Sequence, residues 1–315
     1  MPENVDSTNI YTEKALETEL PICDAHQHVW NFESSRYLVA DFIKDASGGH
    51  NIKQSVAVQS RGNYKPLPGC GMTPVEETLF VMKQISGIKS TIDVAAGFVG
   101  YVDLEIGAAA QQLIEAHLEA GRKRFKGLRY PFEQHPDAGI LTNSKVKEAF
   151  ALLSKYKLTY ELSISLPQYS EFIDMAKKYP DVPMIINHLG LTKVHNKTLE
   201  ERNEIMAGWR QKIQLIAPIG NIYMKLGGTP RYFGFEKKST LPTSEEIVNV
   251  VGPYYQSVID QLGPKRCMFE SNFPTDKTFS TYTVMWNAFK LMTKSYTKTE
   301  RSFLFHDTAN TVYNL

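Results

Sequence analysis

The sequence predicts an α/β fold, a single (β/α)8 TIM barrel, and three observations carry that expectation. Eight short segments rich in Val, Ile and Phe recur along 315 residues. Amphipathic stretches of helical period lie between them, and several of the segments are apolar throughout, as strands buried on both faces are. No Gly-x-Gly-x-x-Gly follows any of them, so nothing supports the alternative of a doubly wound sheet with a dinucleotide site.

In order, the expected strands are Ile22–Asp24, Ser55–Gln59, Val94–Gly100, Phe125–Arg129, Leu158–Ser163, Met184–His188, Ile222–Leu226 and Cys267–Glu270. Ala108–Ala120, Lys145–Tyr156 and Gln168–Tyr179 repeat apolar residues at helical spacing and fall between strands three and six. Thr243–Leu262 opens with Thr-Ser-Glu-Glu, a helix-start pattern, and Val284–Met292 follows the last strand. No internal repeat or low-complexity linker divides the chain, so residues 1–20 read as a polar N-terminal extension and 21–315 as one barrel domain. Two irregular stretches, Ser60–Thr73 and Thr229–Thr243, follow strands two and seven. In a barrel both lie over the C-terminal mouth, where active sites are built.

Composition narrows the function classes. Lys and Arg number 35 against 34 Asp and Glu, which leaves no basic field for nucleic acid or an anionic membrane. Apolar residues make up 42%, enough for a large core, and sixteen Tyr with sixteen Phe suggest a pocket with aromatic walls. Cys23, Cys70 and Cys267 are too scattered for a disulfide framework or zinc knuckle. The first twenty residues show neither a basic start nor an apolar core, and no run of about 18 apolar residues spans a bilayer. The expectation is a cytoplasmic protein whose partner is a small-molecule substrate, with a homo-oligomer left open.

Polar side chains collect where the expected strands end. Asp24-Ala25-His26-Gln27-His28 closes strand one, and His-x-His on an extended strand sends two imidazoles to one side. Strand two ends at Gln59, with Tyr64 in the loop beyond; strand three approaches Asp103; strand four ends at Arg129. Strand five carries Glu161, strand six ends at Asn187-His188, strand seven carries Lys225, and strand eight leads into Glu270-Ser271-Asn272. Charged groups are almost never fully buried without partners, so this clustering indicates one site fed by many strands. Ordinary ion pairs would account for some of it: Arg129 with Glu161, or Lys225 with Glu270 or Asp103. His135 reads as a loop residue, His306 as part of the final helix, and Tyr232-Phe233-Gly234-Phe235 as either a lid or a surface loop.

Several runs then resemble a known family. Asp24-Ala25-His26-Gln27-His28-Val29-Trp30, Gly127-Leu128-Arg129-Tyr130, Asn187-His188-Leu189-Gly190, Lys225-Leu226-Gly227-Gly228 and the closing Phe305-His306-Asp307-Thr308-Ala309-Asn310-Thr311-Val312-Tyr313 look like the amidohydrolase superfamily. The branch they resemble contains barrel hydrolases, among them sugar lactonases and pyrone-dicarboxylate lactonases. The resemblance implies that His26, His28 and His188 face the reacting carbonyl and that Arg129 helps bind an anionic or polar substrate. It also shows a departure: the family usually ends strand eight with Ser-Asp-Trp-Pro, the aspartate serving as base or metal ligand. Here Glu270-Ser271-Asn272-Phe273-Pro274 puts an amide there, a pattern shared by one subgroup. An amide is no base near neutral pH and a weaker, neutral metal ligand.

Together these readings point to a lactonase-like hydrolase of an ester-like carbonyl, with a lactone of a small polar or aromatic acid as the expected substrate. His26, His28, His188 and Asn272 are the expected catalytic residues, with Gln59, Tyr64, Arg129, Glu161, Lys225 and Glu270 around the substrate. Glu270 or Asp276 could replace a histidine as base. The missing strand-eight carboxylate leads to the expectation that no tightly bound metal is required; zinc, if held at all, would use His26, His28 and His188. Non-oxidative decarboxylation of an aromatic acid, or a non-catalytic binder on the same barrel, are the alternatives.

Overall fold

A computed structural model describes residues 13–61, 73–130, 135, 137, 139–164, 166–191, 194, 196–235 and 240–315. Eight parallel strands run in sequence order around one sheet: β1 (Pro21–Gln27), β2 (Asn51–Val58), β3 (Asp93–Gly100), β4 (Phe125–Arg129), β5 (Thr159–Leu162), β6 (Met184–Ile186), β7 (Ile222–Leu226) and β8 (Cys267–Phe269). The ends of β1 and β8 close the ring. Asn272 N donates to His26 O at 2.8 Å and His28 N to Phe273 O at 2.7 Å. The fold is therefore the single (β/α)8 barrel expected.

A helix follows every strand: α1 (Val39–Ala46), α2 (Thr73–Ser86), α3 (Ala110–Gly121), α4 (Ser144–Tyr156), α5 (Tyr169–Lys178), α6 (Leu199–Ile216), α7 (Ser244–Leu262) and α8 (Tyr282–Met292). The α7 start is a capping box in which Thr243 Oγ1 accepts from Glu246 N and Glu246 accepts from Thr243 N. Reciprocal capping satisfies two otherwise orphaned amides. The same device, Thr198 with Glu201, starts α6. Helices α1, α2 and α6 were not expected. In α6 only Met206, Trp209, Ile213 and Ile216 are buried along eighteen residues, so its apolar stripe is too thin to stand out.

Side chains divide between two cores. Ile22, Phe98, Leu128, Tyr160, Leu162, Met184, Ile186, Met224, Leu226 and Phe269 face outward and pack with helix residues such as Phe150, Trp209, Tyr255 and Phe289. Cys23, Ala25, Val56, Val58, Val99, Ile185 and Met268 fill the barrel, joined by Ala309 and Tyr313 from the C-terminal segment. The alternation along each strand is the period-two rule at work. Outside the barrel, residues 13–20 lie along α8. Asn287 Oδ1 accepts from Leu16 N at 2.8 Å, and the buried Lys290 ammonium donates to Leu16 O at 2.7 Å and Glu17 O at 3.0 Å. No helix among the described residues is long and apolar enough to cross a membrane.

Candidate active site

The C-terminal mouth gathers His26, His28, Arg129, His188, Lys225 and Glu270, and the hydrogen bonds around them assign most protons. His28 Nδ1 lies 2.7 Å from Val58 O, which can only accept, so Nδ1 carries the proton and Nε2 the lone pair. Glu270, wholly buried, stands between two other imidazoles. One carboxylate oxygen is 2.8 Å from His26 Nδ1 and the other 2.7 Å from His188 Nδ1. His188 Nδ1 is thereby a donor and its Nε2 an acceptor, whereas the His26 contact has an ion-pair distance without hydrogen-bond geometry. Two groups that can only donate flank the His26 ring, Arg129 Nη1 at 3.4 Å from Nε2 and Lys225 Nζ at 3.5 Å from Nδ1. A second Arg129 nitrogen donates to Gln59 O.

Burial disfavours the charged form of His26 and His28. It holds the His26 pKa well below the ordinary range, assisted by the Lys225 ammonium, and does the same for His28, assisted by the Arg129 guanidinium. His26 Nε2 and His28 Nε2 are only 3.1 Å apart. At that separation one nitrogen donates to the other, or both lone pairs hold one cation between them. Two nitrogens bound to one zinc ion at about 2.0–2.1 Å each are themselves roughly 3 Å apart. Donor atoms of His26, His188 and Glu270 also lie within 4.8 Å of one another. The residues present therefore fit a divalent cation, with Glu270 supplying the carboxylate that position 272 lacks. Carboxylate–imidazole pairs of this kind orient metal-binding histidines.

Beneath the mouth, Lys225 and Glu161 pair at 2.7 Å with no exposure of either side chain. Tyr313 donates to the other Glu161 oxygen, and Lys225 Nζ lies 3.5 Å from His26 Nδ1. Lys225 thus takes Glu161 as its carboxylate rather than Glu270 or Asp103. Asp103 instead caps the turn after β3 through Glu105 N at 2.9 Å.

Local backbone explains how His188 arrives. His188, Leu189 and Gly190 are consecutive left-handed residues (φ 55°, 62° and 57°). Each non-glycine residue there costs about 1–3 kcal/mol, so the turn needs clamps: Trp209 Nε1 donates to Leu189 O at 2.8 Å and Tyr169 Oη to Gly190 O at 3.3 Å. The Gly227–Gly228 pair after β7 gives the ring its space. A Cβ on Gly227 would meet Glu270 O at 2.2 Å, and one on Gly228 (φ 63°) would lie 2.0 Å from His188 Nδ1. Gly228→Ala should accordingly leave a folded barrel in which His188 is displaced from Glu270. A roughly 10- to 100-fold fall in kcat/KM is expected, as for other losses of a partner orienting a metal-site histidine. Steady-state kinetics beside circular dichroism checks this, and unchanged kinetics would contradict the packing described.

The remaining residues singled out in the sequence separate. Asn272 is nearly buried and left-handed (φ 54°), a conformation Asn tolerates, and its Nδ2 donates to Asp276 Oδ1 at 2.9 Å. Gln59 is buried, with Oε1 unpaired among the described residues. Tyr64 lies outside the described residues. His135 bonds Glu105 at 3.1 Å and His306 bonds Asp307 at 2.8 Å, neither among the residues gathered at the mouth. Tyr232 and Phe235 are buried. Sequence reasoning missed Asp24 as a tie. Burial pushes its carboxyl up to about 6 although it accepts from Ser271 N and Tyr282 Oη, each at 2.9 Å, linking β1 to the segment after β8. The Gly227–Gly228 pair directly after β7 was the legible sign that backbone closeness matters there.

A parallel barrel with imidazoles, a guanidinium and a buried carboxylate at its C-terminal mouth is the architecture of a barrel hydrolase. The model of the amidohydrolase family matches residues 23–315, and the chain is an enzyme of that family. Among similar proteins is y4mH, an uncharacterized protein of Sinorhizobium fredii, 28% identical over 95% of this chain and all of its own. An L-fucono-1,5-lactonase of Burkholderia multivorans is 21% identical over 93% of this chain and 95% of its own. A Burkholderia multivorans amidohydrolase crystallised with bound zinc shares the fold at TM-score 0.75 and 19% identity, covering 93% of this chain and 99% of that one.

Proposed function

We propose that this protein hydrolyses the ester bond of a lactone, with a divalent metal ion in the mouth of the barrel. The observation that carries this reading is the cluster of three imidazoles whose Nδ1 atoms lie 2.7–2.8 Å from carboxylate or carbonyl oxygens, beside a guanidinium. The similarity to an L-fucono-1,5-lactonase supports it. His26 and His28 would hold the metal through Nε2, with Glu270 the further donor. A metal ion bound there polarises an ester carbonyl and acidifies a water.

The chain's own groups supply the rest. Arg129 donates to the carbonyl oxygen, where negative charge develops as water attacks, and it does so in a site from which water is largely excluded. Glu270 fixes the orientation of His26 and His188 and disperses positive charge that either ring acquires. His188 Nε2, with its opposite nitrogen tied to Glu270, accepts the proton of the attacking water. Lys225 adds positive charge 3.5 Å behind His26.

The test is hydrolysis of a panel of aldono-1,4- and 1,5-lactones, followed by proton release, on protein purified without chelators. Turnover of at least one lactone is expected, with loss on dialysis against a chelator and recovery on adding zinc. Full activity in metal-free protein would remove the metal from this reading, and inactivity on every lactone would remove the lactone.

A further inference from the structure

We propose that Asn187 is a specificity-determining residue that hydrogen-bonds a hydroxyl group of the substrate, so that the lactone is a hydroxylated one rather than a simple or carboxylated one. This rests on the lactone reading above. Asn187 continues β6: its φ of −80° and ψ of 148° are extended, and its N donates to Leu162 O at 2.9 Å. Side chains alternate along such a strand, so Asn187 shares the face of Ile185, which packs inside the barrel. The β6–β7 register pairs Ile185 with Tyr223 and Ile186 with Met224. One residue further it sets Asn187 level with the inward-facing Lys225, and the next residue in the chain is His188.

At that position the side chain is 1% exposed, and neither Oδ1 nor Nδ2 has a hydrogen-bond partner among the described residues. Buried polar groups in native proteins are almost always paired, and an unpaired one calls for an explanation. Lys225, level with it, is already paired with Glu161. The chemistry of an amide then selects the ligand group. It offers one acceptor and one donor side by side. A carboxylate only accepts, and would leave Oδ1 unpaired; a hydroxyl, or a vicinal pair of them, both donates and accepts.

Asn187→Leu replaces the amide by an apolar group of nearly the same volume, and Asn187→Ala is the second variant should leucine fit poorly. The reading is kcat/KM on an aldonolactone divided by kcat/KM on unsubstituted δ-valerolactone, measured beside the thermal midpoint. A site that pairs with a hydroxyl discriminates against ligands lacking it. The ratio is expected to fall about 10- to 100-fold in the variants, with a thermal midpoint for Asn187→Leu equal to or above the wild type because two unpaired polar atoms are gone. An unchanged ratio in both variants, or equal losses on both lactones, would overturn the proposal and make the residue structural. Wild-type turnover of δ-valerolactone without preference for the hydroxylated lactone would overturn it alone. Failure of the wild type on both lactones would overturn the lactone reading and this inference with it.

Discussion

Glu270→Gln should lower kcat/KM at least about 100-fold while the barrel stays folded. Glu270 Oε1 accepts from His188 Nδ1 at 2.7 Å and from His188 N at 3.2 Å, and Oε2 lies 2.8 Å from His26 Nδ1. Glutamine keeps the shape but has one accepting oxygen. Its NH₂ would face one of the two Nδ1 atoms, and the ring on that side would lose its carboxylate partner and its fixed orientation. Loss of one such orienting partner typically costs 10–100-fold in activity or metal affinity, and here one residue serves two rings. Zinc affinity, read by competition with a chelating dye, should weaken in parallel. Wild-type values for both quantities would show that Glu270 does not organise the site.

Lys225→Met should be the most destabilising single change in the barrel interior, by about 3–5 kcal/mol in urea unfolding. The ammonium is 2.7 Å from Glu161 Oε2, and both side chains are wholly buried. Removing the cation leaves the wholly buried Glu161 carboxylate with the Tyr313 hydroxyl as its hydrogen-bond partner among the described residues. The double variant Lys225→Met with Glu161→Gln removes both charges, and a buried pair replaced together is often close to neutral. It should recover most of the lost stability without recovering full activity, because the positive charge behind His26 is still missing. A single variant as stable as the wild type would mean that water reaches Glu161.

The barrel was legible because its strands announce themselves locally. Phe125–Arg129 and Ile222–Leu226 were readable to the residue, as apolar runs bounded by turn residues. The start of β2 was not, since Asn51–Gln54 includes partly exposed positions and Lys53 is exposed. Helix α6 was missed for the same kind of reason, a charged surface with four buried side chains, although its capping box was there to be read. Of the candidate site, the strand-end positions of His26, His28, Arg129, His188, Lys225 and Glu270 came from the chain directly. The expectation that a metal is dispensable rested on Asn272 alone, and that premise changed when Glu270 proved to stand between His26 and His188.

By itself the sequence determined the eight β/α units and the end of each strand at which polar groups stand, because strand period, helix period and turn chemistry are properties of neighbouring residues. Only the tertiary structure decided the partners: Glu270 with His188, 82 residues away, and Lys225 with Glu161, 64 residues away. It also turned Asn272 toward Asp276 and left the Asn187 amide unpaired. The physical reason is that a short-range force between side chains acts only after closure of the ring has set which strands are adjacent and at what register. No local pattern in the chain encodes those distances.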